Sequence, residues 1–355
     1  MSIGFAVMAI GAFLFIPAAA TRTYGIFLTG LFALGVGLSV LQTAANPYIT
    51  ILGPADRAAQ RISILGVCNK GAGILAPLIF AAVVLRKTDT ELFKRIPQMI
   101  AAERELVLDE LIQRVMIPYL VVGIVLLLLG LIILKSPLPE INTEKEDPEL
   151  LKANAGKKSI WDFPYLILGA VAIFLHVGTQ VISIDTIIGY ATSMHIPLLE
   201  AKIFPSYTLF ATICGYLLGV IAIPKFISQK KALQLFTILG CIFSLLIVLL
   251  KGKVILLGHT TDVSIWFVVL LGFSNSLIWA GIWPLAINGL GRFTKLGASV
   301  MIMGLCGNGL LPLVYGYLAD LYGTQEAYRI LIPCYLYLVF YAFYGHRIKK
   351  WSFKS

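Results

Sequence analysis

Charged residues are scarce in this sequence: they make up 13% of its 355 residues, where soluble domains carry about 25%. Hydrophobic residues make up 59%, and the mean hydropathy is +0.89. A soluble fold cannot bury that much apolar surface. Apolar runs of roughly 20 residues, the length that crosses a hydrocarbon core of about 30 Å, recur along the chain. The sequence therefore predicts an all-α, polytopic membrane protein.

Motifs for metal binding, disulfides and nucleotide hydrolysis are missing. The five cysteines all lie inside apolar runs, without a Cys-x-x-Cys pair or a histidine at metal-ligand spacing, so we expect neither a disulfide nor a metal site. No Walker motif or glycine-rich phosphate loop is present. We therefore expect no cofactor, no enzymatic activity and no ATP hydrolysis, which leaves an ion or solute gradient as the energy source.

Ten apolar runs are predicted to form transmembrane helices. They cover residues 2–20, 24–51, 62–85, 116–134, 163–194, 203–226, 232–250, 264–290, 297–318 and 327–344. Four runs precede a hydrophilic, proline-containing linker, and six follow it. The mixed-charge stretch at 86–114 is predicted to be a solvated, partly helical loop.

The composition of the segments between these runs predicts the domain organisation. A linker rich in Glu, Lys and Pro cannot bury a core and reads as a flexible connection. We predict an N-terminal half at 1–134 with four helices, a cytoplasmic linker at 135–162, a six-helix C-terminal half at 163–346 and a basic cytoplasmic tail at 347–355.

The formal net charge of +10 reflects membrane topology. The basic residues of alternate short loops and of the tail fall on the same side as the linker, as the positive-inside rule requires of the cytoplasmic side. We therefore expect membrane lipids around the chain and no nucleic-acid partner.

A weak internal repeat relates residues 62–78 to residues 300–313, and it aligns Cys68 with Cys306. The two segments lie in the third and ninth helices, an interval of six, which indicates two six-helix halves. Because only four helices precede the linker, the chain looks as though its first two helices are missing. A fragment, a misplaced start codon and a real truncation are all compatible with this pattern.

Polar side chains inside apolar runs are the candidate binding residues. Amides and aromatic rings suit a neutral sugar, whose hydroxyls need hydrogen-bond partners and whose ring has an apolar face. The candidates are Gln42, Asn46, Asn69, Gln180, Asn275, Trp279 and Asn308. Each amide has the alternative of an interhelical hydrogen bond, and Asn46 has the further alternative of satisfying backbone freed at Pro47.

Ionisable groups inside a bilayer are costly and point more strongly to function. Asp185 is the acidic residue well inside the 163–194 run, and we expect it to be the protonatable coupling group or a sugar ligand. Its alternative is a salt bridge, for which Lys70 is a conceivable partner. Lys70 itself is a candidate for ion coupling, and His176 is a candidate proton relay whose alternative is a packed neutral histidine.

Two helical halves joined by a polar cytoplasmic linker are the plan of the major facilitator superfamily. Within it, LQTAANPYITILGP and the following AQRISILGVCNK resemble the fucose permease and glucose/galactose (N-acetylglucosamine) sugar symporter family. HVGTQ at 176–180 and GRFTKLGAS at 291–299 also look like that family. The resemblance covers nearly the whole chain from the family's third helix onward.

This resemblance implies ion-coupled symport of a neutral hexose by alternating access. The substrate would be glucose, galactose, fucose or N-acetylglucosamine, the coupling ion H⁺ or Na⁺, the location the bacterial inner membrane, and the protein a monomer. The chain departs from the family pattern at Gln42, where the fucose branch has a proton-accepting Glu, and at Gly66, where a Gln often stands. The family's first-helix Asp would lie in the missing region.

Two other interpretations stay open at this point. A chain that lacks two helices could be a nonfunctional or regulatory remnant of such a transporter. An integral-membrane enzyme acting on lipid-linked sugars would need catalytic groups clustered at one face, whereas the acidic residues here are scattered. The sequence does not choose among the sugars or between the two ions.

Overall fold

The computed structural model describes residues 1–84, 92, 95–137, 154 and 156–351. Most of the predicted linker, part of the loop predicted at 86–114 and the end of the basic tail lie outside these residues. Within the described part of the chain, nine helical stretches are long and apolar enough to cross a membrane. The prediction of an all-α, polytopic membrane protein is therefore confirmed.

The chain divides into two compact units, and the first contains residues 1–45 and 72–140. Its helices are α1 (Ser2–Thr21), the first part of α2 (Tyr24–Ile51), the second part of α3 (Ala58–Val84) and α4 (Ala101–Lys135). The boundaries predicted at the linker and tail stay a prediction.

Helix α1 packs between glycines of α2 and aromatic side chains of α4. A Cβ on Gly4 would lie 2.8 Å from the Gly37 carbonyl oxygen, so the two backbones are in direct contact. On the other side, the Phe15 ring stacks on Tyr119 with centroids 3.9 Å apart. Small residues let helices approach closely, and the resulting van der Waals contacts hold α1 in place. These contacts matter because lipid supplies no hydrophobic driving force for helix association.

Helix α4 is longer than its apolar run, since it begins at Ala101 and not at Met116. Its charged first half was predicted to lie in a partly helical loop, but it is a continuous extension of the transmembrane helix. Arg22, just after α1, forms an ion pair with Asp109 in this extension. That ion pair raises the pKa of Arg22 through the hydrogen bond from its guanidinium.

The second unit contains residues 46–71 and 141–355. It includes the last part of α2 and the first part of α3. Its other helices and strands are α5 (Pro164–Asp185), α6 (Ile187–Ser193), α7 (Leu198–Ala201), α8 (Phe204–Ala222), α9 (Gln229–Leu249), β1 (Lys253–Leu256), β2 (His259–Asp262), α10 (Ser264–Ile287), α11 (Thr294–Met303), α12 (Gly307–Tyr322), α13 (Thr324–Ala327) and α14 (Leu331–Phe343).

Helix α10 forms the core of this unit. It packs against α5, α8 and α9, and 78% of its membrane-spanning window is buried, against 50% for α5. A helix that is hydrophobic on all sides and surrounded by other helices is the expected centre of a bundle. Side chains on α10 therefore face protein, so its polar residues need protein partners.

Three predicted runs are interrupted in the structure. The run at 163–194 breaks at Thr186 between α5 and α6, the run at 297–318 contains a 3₁₀ turn at Gly304–Cys306, and the last run contains a 3₁₀ turn at Tyr328–Ile330. The second break follows from packing: a Cβ on Gly304 would lie 2.9 Å from the Ala170 carbonyl oxygen of α5. Hydrophobicity alone does not reveal these breaks.

A β-hairpin joins α9 to α10, where the sequence analysis identified no strand. Strands β1 and β2 pair antiparallel, and Leu257 and Gly258 between them both have positive φ, 51° and 83°, as a two-residue hairpin turn requires. Asp262 then accepts hydrogen bonds from the Ser264 and Gly252 amides, each at 2.9 Å. Although burial opposes ionisation, these hydrogen bonds and the Ser264 hydroxyl hold the pKa of Asp262 below its usual value.

Replacing Gly307 tests the contact between α12 and α5. A Cβ at this position would clash with the backbone carbonyl of Phe174, whereas a Cβ on Gly309 would meet no described atom within 4 Å. We expect Gly307→Ala to destabilise the fold by about 1–3 kcal/mol, because the backbone cannot yield as a side chain would. Thermal unfolding of the detergent-purified protein measures this, with Gly309→Ala as the matched control. Equal unfolding midpoints for the two variants would contradict the close contact.

Candidate functional site

The polar residues of α5 lie in the second unit together with the start of α3. His176 and Gln180 are one helical turn apart and share a face of α5. The half-buried Lys70 of α3 donates a hydrogen bond from Nζ to Gln180 Oε1 at 3.3 Å. Two residues that are 110 positions apart in the sequence are thereby brought into one polar site.

Asp185, at the end of α5, is exposed. Among the described residues, no ion pair within 4.0 Å joins its carboxylate to the Lys70 ammonium. In this structure Lys70 therefore uses the neutral amide of Gln180 as its partner instead of the carboxylate that the sequence suggested.

His176 is 1% exposed, and its Nδ1 atom has no hydrogen-bond partner in the described part of the chain. Buried polar atoms are normally paired, so an unpaired one requires an explanation. The neighbouring Thr179 hydroxyl bonds to the His176 carbonyl at 2.8 Å and leaves the ring free. Its role as a proton relay stays a prediction.

Asn275 of α10 connects three helices and is fully buried. Its Nδ2 donates to the Ser183 hydroxyl of α5 at 3.5 Å, and its Oδ1 accepts from the Tyr335 hydroxyl of α14 at 2.9 Å. Both ends of the amide are thus used between helices. This is the arrangement of the interhelical alternative, and it fixes α5 in place beside Gln180.

Trp279 and Trp283 follow Asn275 at intervals of one turn on α10. Their rings stack with centroids 5.4 Å apart and an interplanar angle of 16°. Trp283 is fully buried, with no described partner for its indole N–H, whereas Trp279 is partly exposed. Trp279 is therefore the ring of the pair that has a surface available to a ligand.

The four remaining predicted binding residues have different environments. Asn46 is 6% exposed and its Nδ2 has no described partner, so this nitrogen does not satisfy backbone at Pro47. Asn69 and Asn308 are exposed. Gln42 is half-buried and belongs to the first unit.

Arg61 is a structural residue that the sequence suggested only as an orientation charge. Its guanidinium donates to the carbonyl oxygens of Ile49, Thr50 and Pro54 at 2.8, 2.7 and 2.9 Å. Unpaired carbonyls at a helix C-terminus need such donors. Arg61 thus fixes the turn between α2 and α3 and, through it, the start of the helix that carries Lys70. The Gly-Pro turn shortly before it is the only signal in the sequence.

The Asn275 connection can be tested separately from ligand binding. Asn275→Ala leaves the Tyr335 and Ser183 hydroxyls without this partner in a dry core, so we expect a loss of about 1–3 kcal/mol of unfolding free energy. Asn308→Ala, at an exposed position, is the control and should unfold like the unchanged protein. Thermal unfolding without ligand is the measurement. A stable Asn275→Ala protein would show that the three-helix connection is dispensable.

Comparison with known proteins identifies the family. Residues 1–297 match the model of the Major Facilitator Superfamily. A glucose/galactose transporter of Brucella abortus biovar 1 (strain 9-941) is 32% identical over 350 residues, which cover 97% of this chain and 77% of the relative. An L-fucose-proton symporter of Escherichia coli (strain K12) is 27% identical over 348 residues, covering 96% of this chain and 76% of the relative.

Solved structures give the same fold. A crystal structure of the Major Facilitator Superfamily transporter FucP in the outward conformation aligns with a TM-score of 0.80 at 24% identity, covering 96% of this chain and 81% of that one. The resemblance found in the AANPY and HVGTQ segments is confirmed. The chain is a member of the Major Facilitator Superfamily and, with it, a multi-pass membrane protein.

Proposed function

We propose that this chain carries a neutral hexose across the bacterial inner membrane by alternating access, in symport with a proton. The observation that carries the proposal is a polar site, built on the hydrogen bond between Lys70 and Gln180, among apolar helices of a Major Facilitator chain. The names of the relatives, a glucose/galactose transporter and an L-fucose-proton symporter, support both the substrate class and the ion. Transport, and not catalysis, is accordingly the proposed activity.

The chemistry of the second unit suits a sugar. Gln180 accepts from Lys70 through Oε1, which leaves its Nε2 to donate to a sugar hydroxyl. Trp279 offers a partly exposed ring to the apolar face of a pyranose, and Asn69 offers an exposed amide beside Lys70. We assign these three residues to sugar binding within the unit.

The other residues predicted to bind sugar are supported to different degrees. Asn46, with its unpaired Nδ2, and the exposed Asn308 are further candidates. Asn275 acts mainly by holding α5, since both ends of its amide are used. Gln42 stays a prediction from the family resemblance.

Asp185 is the proposed proton carrier. It is an exposed acid on the same helix as Gln180, and no described cation pairs with it within 4.0 Å. Ionisable groups within the membrane-spanning helices of transporters commonly mark ion pathways and proton relays. A proton taken up by this carboxylate on the outer side would be released to water on the inner side.

Uptake of a radiolabelled hexose panel tests the proposal. We expect cells that express the chain to accumulate glucose, galactose, fucose or N-acetylglucosamine and a protonophore to abolish the accumulation. Asp185→Asn should lose accumulation but keep sugar exchange, because a neutral amide can bind hydroxyls but cannot carry a proton. Asp320→Asn, at an exposed acid of α12, is the matched control.

Two results would contradict the proposal in different ways. Full accumulation by Asp185→Asn would remove Asp185 from the coupling role. Absence of uptake and exchange for every hexose, with the protein present in the membrane, would refute sugar transport itself.

A further inference from the structure

We infer that Tyr216 of α8 is a further sugar-binding residue, whose hydroxyl recognises one hydroxyl of the hexose, and that Gly66 of α3 holds it in position. The inference rests on the proposed function and deepens it. Gly66 is one of the two positions at which the chain departs from the family pattern. In the structure the space that a side chain would take there is occupied by the ring of Tyr216.

The ring of Tyr216 lies directly on the backbone of Gly66. A Cβ at Gly66 would lie 2.5 Å from both Cε1 and Cζ of this ring, well inside the roughly 3.5–4.0 Å at which carbon atoms pack. Because Cζ carries the hydroxyl, the polar end of the side chain is the end that touches α3. Even a methyl group at position 66 would therefore displace the hydroxyl.

Two further contacts fix α8 against α3 in this register. A Cβ on Gly219, one turn after Tyr216, would lie 3.0 Å from the hydroxyl oxygen of Ser63, one turn earlier on α3. The Gln60 side chain donates from Nε2 to the Val220 carbonyl oxygen at 2.7 Å. The position of Tyr216 thus follows from the packing of two helices and not from its own rotamer alone.

The Tyr216 hydroxyl reaches the face of α3 that carries the polar site. Asn69 and Lys70 follow Gly66 by three and four residues, so the three positions are neighbours on one face of the helix. Lys70 lies about 6 Å further along the axis than Gly66, and it bonds to Gln180. A hexose bound beside this pair is therefore about one helical turn from the Tyr216 hydroxyl.

The hydroxyl of Tyr216 has no hydrogen-bond partner in the described part of the chain, although the residue is only 5% exposed. Buried polar atoms are normally paired, so this one requires an explanation. Lipid offers no partner. A sugar hydroxyl does, because a phenol can both donate and accept a hydrogen bond.

A tyrosine hydroxyl at this place would contribute to the choice among hexoses. The Lys70 ammonium only donates, and Gln180 has its Nε2 hydrogens left to offer. A protein hydroxyl that pairs with one particular sugar hydroxyl disfavours a sugar without it, because the protein group is then left unpaired. Tyr216 is therefore a specificity-determining residue of the proposed site.

Binding of hexoses and of their monodeoxy analogues to the purified protein tests the inference. The probes are glucose, galactose, fucose and N-acetylglucosamine, with the monodeoxy analogues of those that bind. We expect Tyr216→Phe to bind the parent sugar about three- to tenfold more weakly, the loss of one neutral hydrogen bond. The analogue that lacks the contacted hydroxyl should bind equally to Tyr216→Phe and to the unchanged protein. Tyr317→Phe, at an exposed tyrosine of α12, is the matched control.

Gly66→Ala tests the positioning role. It should lose the preference for the parent sugar over that same analogue, as Tyr216→Phe does, because the methyl group displaces the hydroxyl. Gly71→Ala, whose Cβ would meet no described atom within 4 Å, should keep the preference. Thermal unfolding checks that each variant is folded, and Tyr216→Phe decides the outcome if Gly66→Ala is not. An unaltered preference in folded Gly66→Ala would overturn the role of Gly66.

Two results would overturn the role of Tyr216. One is that Tyr216→Phe binds the parent sugar as well as the unchanged protein does. The other is that it weakens the parent and every analogue by the same factor, which would mark a structural role. In both cases the unchanged protein still binds a hexose, so the proposed function stands. If the unchanged protein binds none of the four hexoses, both are wrong.

Discussion

The absence of water from a bilayer core is the constraint on which this structure depends. A polar group that enters the core is costly unless the protein supplies its partner, because lipid offers none. In the second unit this demand concentrates polar side chains between α5 and its neighbours, where Asn275 bonds to Ser183 and Tyr335. The polar site beside Gln180 is thus surrounded by hydrogen bonds that serve the fold.

The same constraint explains the importance of small residues. Lipid tails are as apolar as leucine, so helices gain little from burying apolar side chains and depend on close contact. Gly37 against α1 and Gly304 and Gly307 against α5 provide that contact, whereas Gly309 meets no described atom within 4 Å. A glycine in an apolar run is therefore informative only once its neighbour is known, which the sequence does not supply.

The sequence predicted those elements that depend on local composition. The bounds of α1 and α2 follow from apolar runs, and the AANPY segment indicated the family. The break at Gly304–Cys306 lies where Gly304 packs closely against α5, a contact that hydrophobicity did not reveal. The hairpin before α10 was missed because each strand has only four residues and neither alternates polar with apolar residues. At the site, the residue types were predictable but the partner of Lys70 was not, since it lies 110 residues away.

The choice of Gln180 over Asp185 as the partner of Lys70 has a consequence for charge in the membrane. A permanent ion pair would balance the two charges and would make the carboxylate harder to protonate. An ammonium held by a neutral amide instead keeps an uncompensated positive charge among apolar helices. The resemblance places Gln42 where the fucose branch has a Glu, which removes one acid from the apolar helices. Under the proposed function, the response to protons is assigned to Asp185 in the described part of the chain.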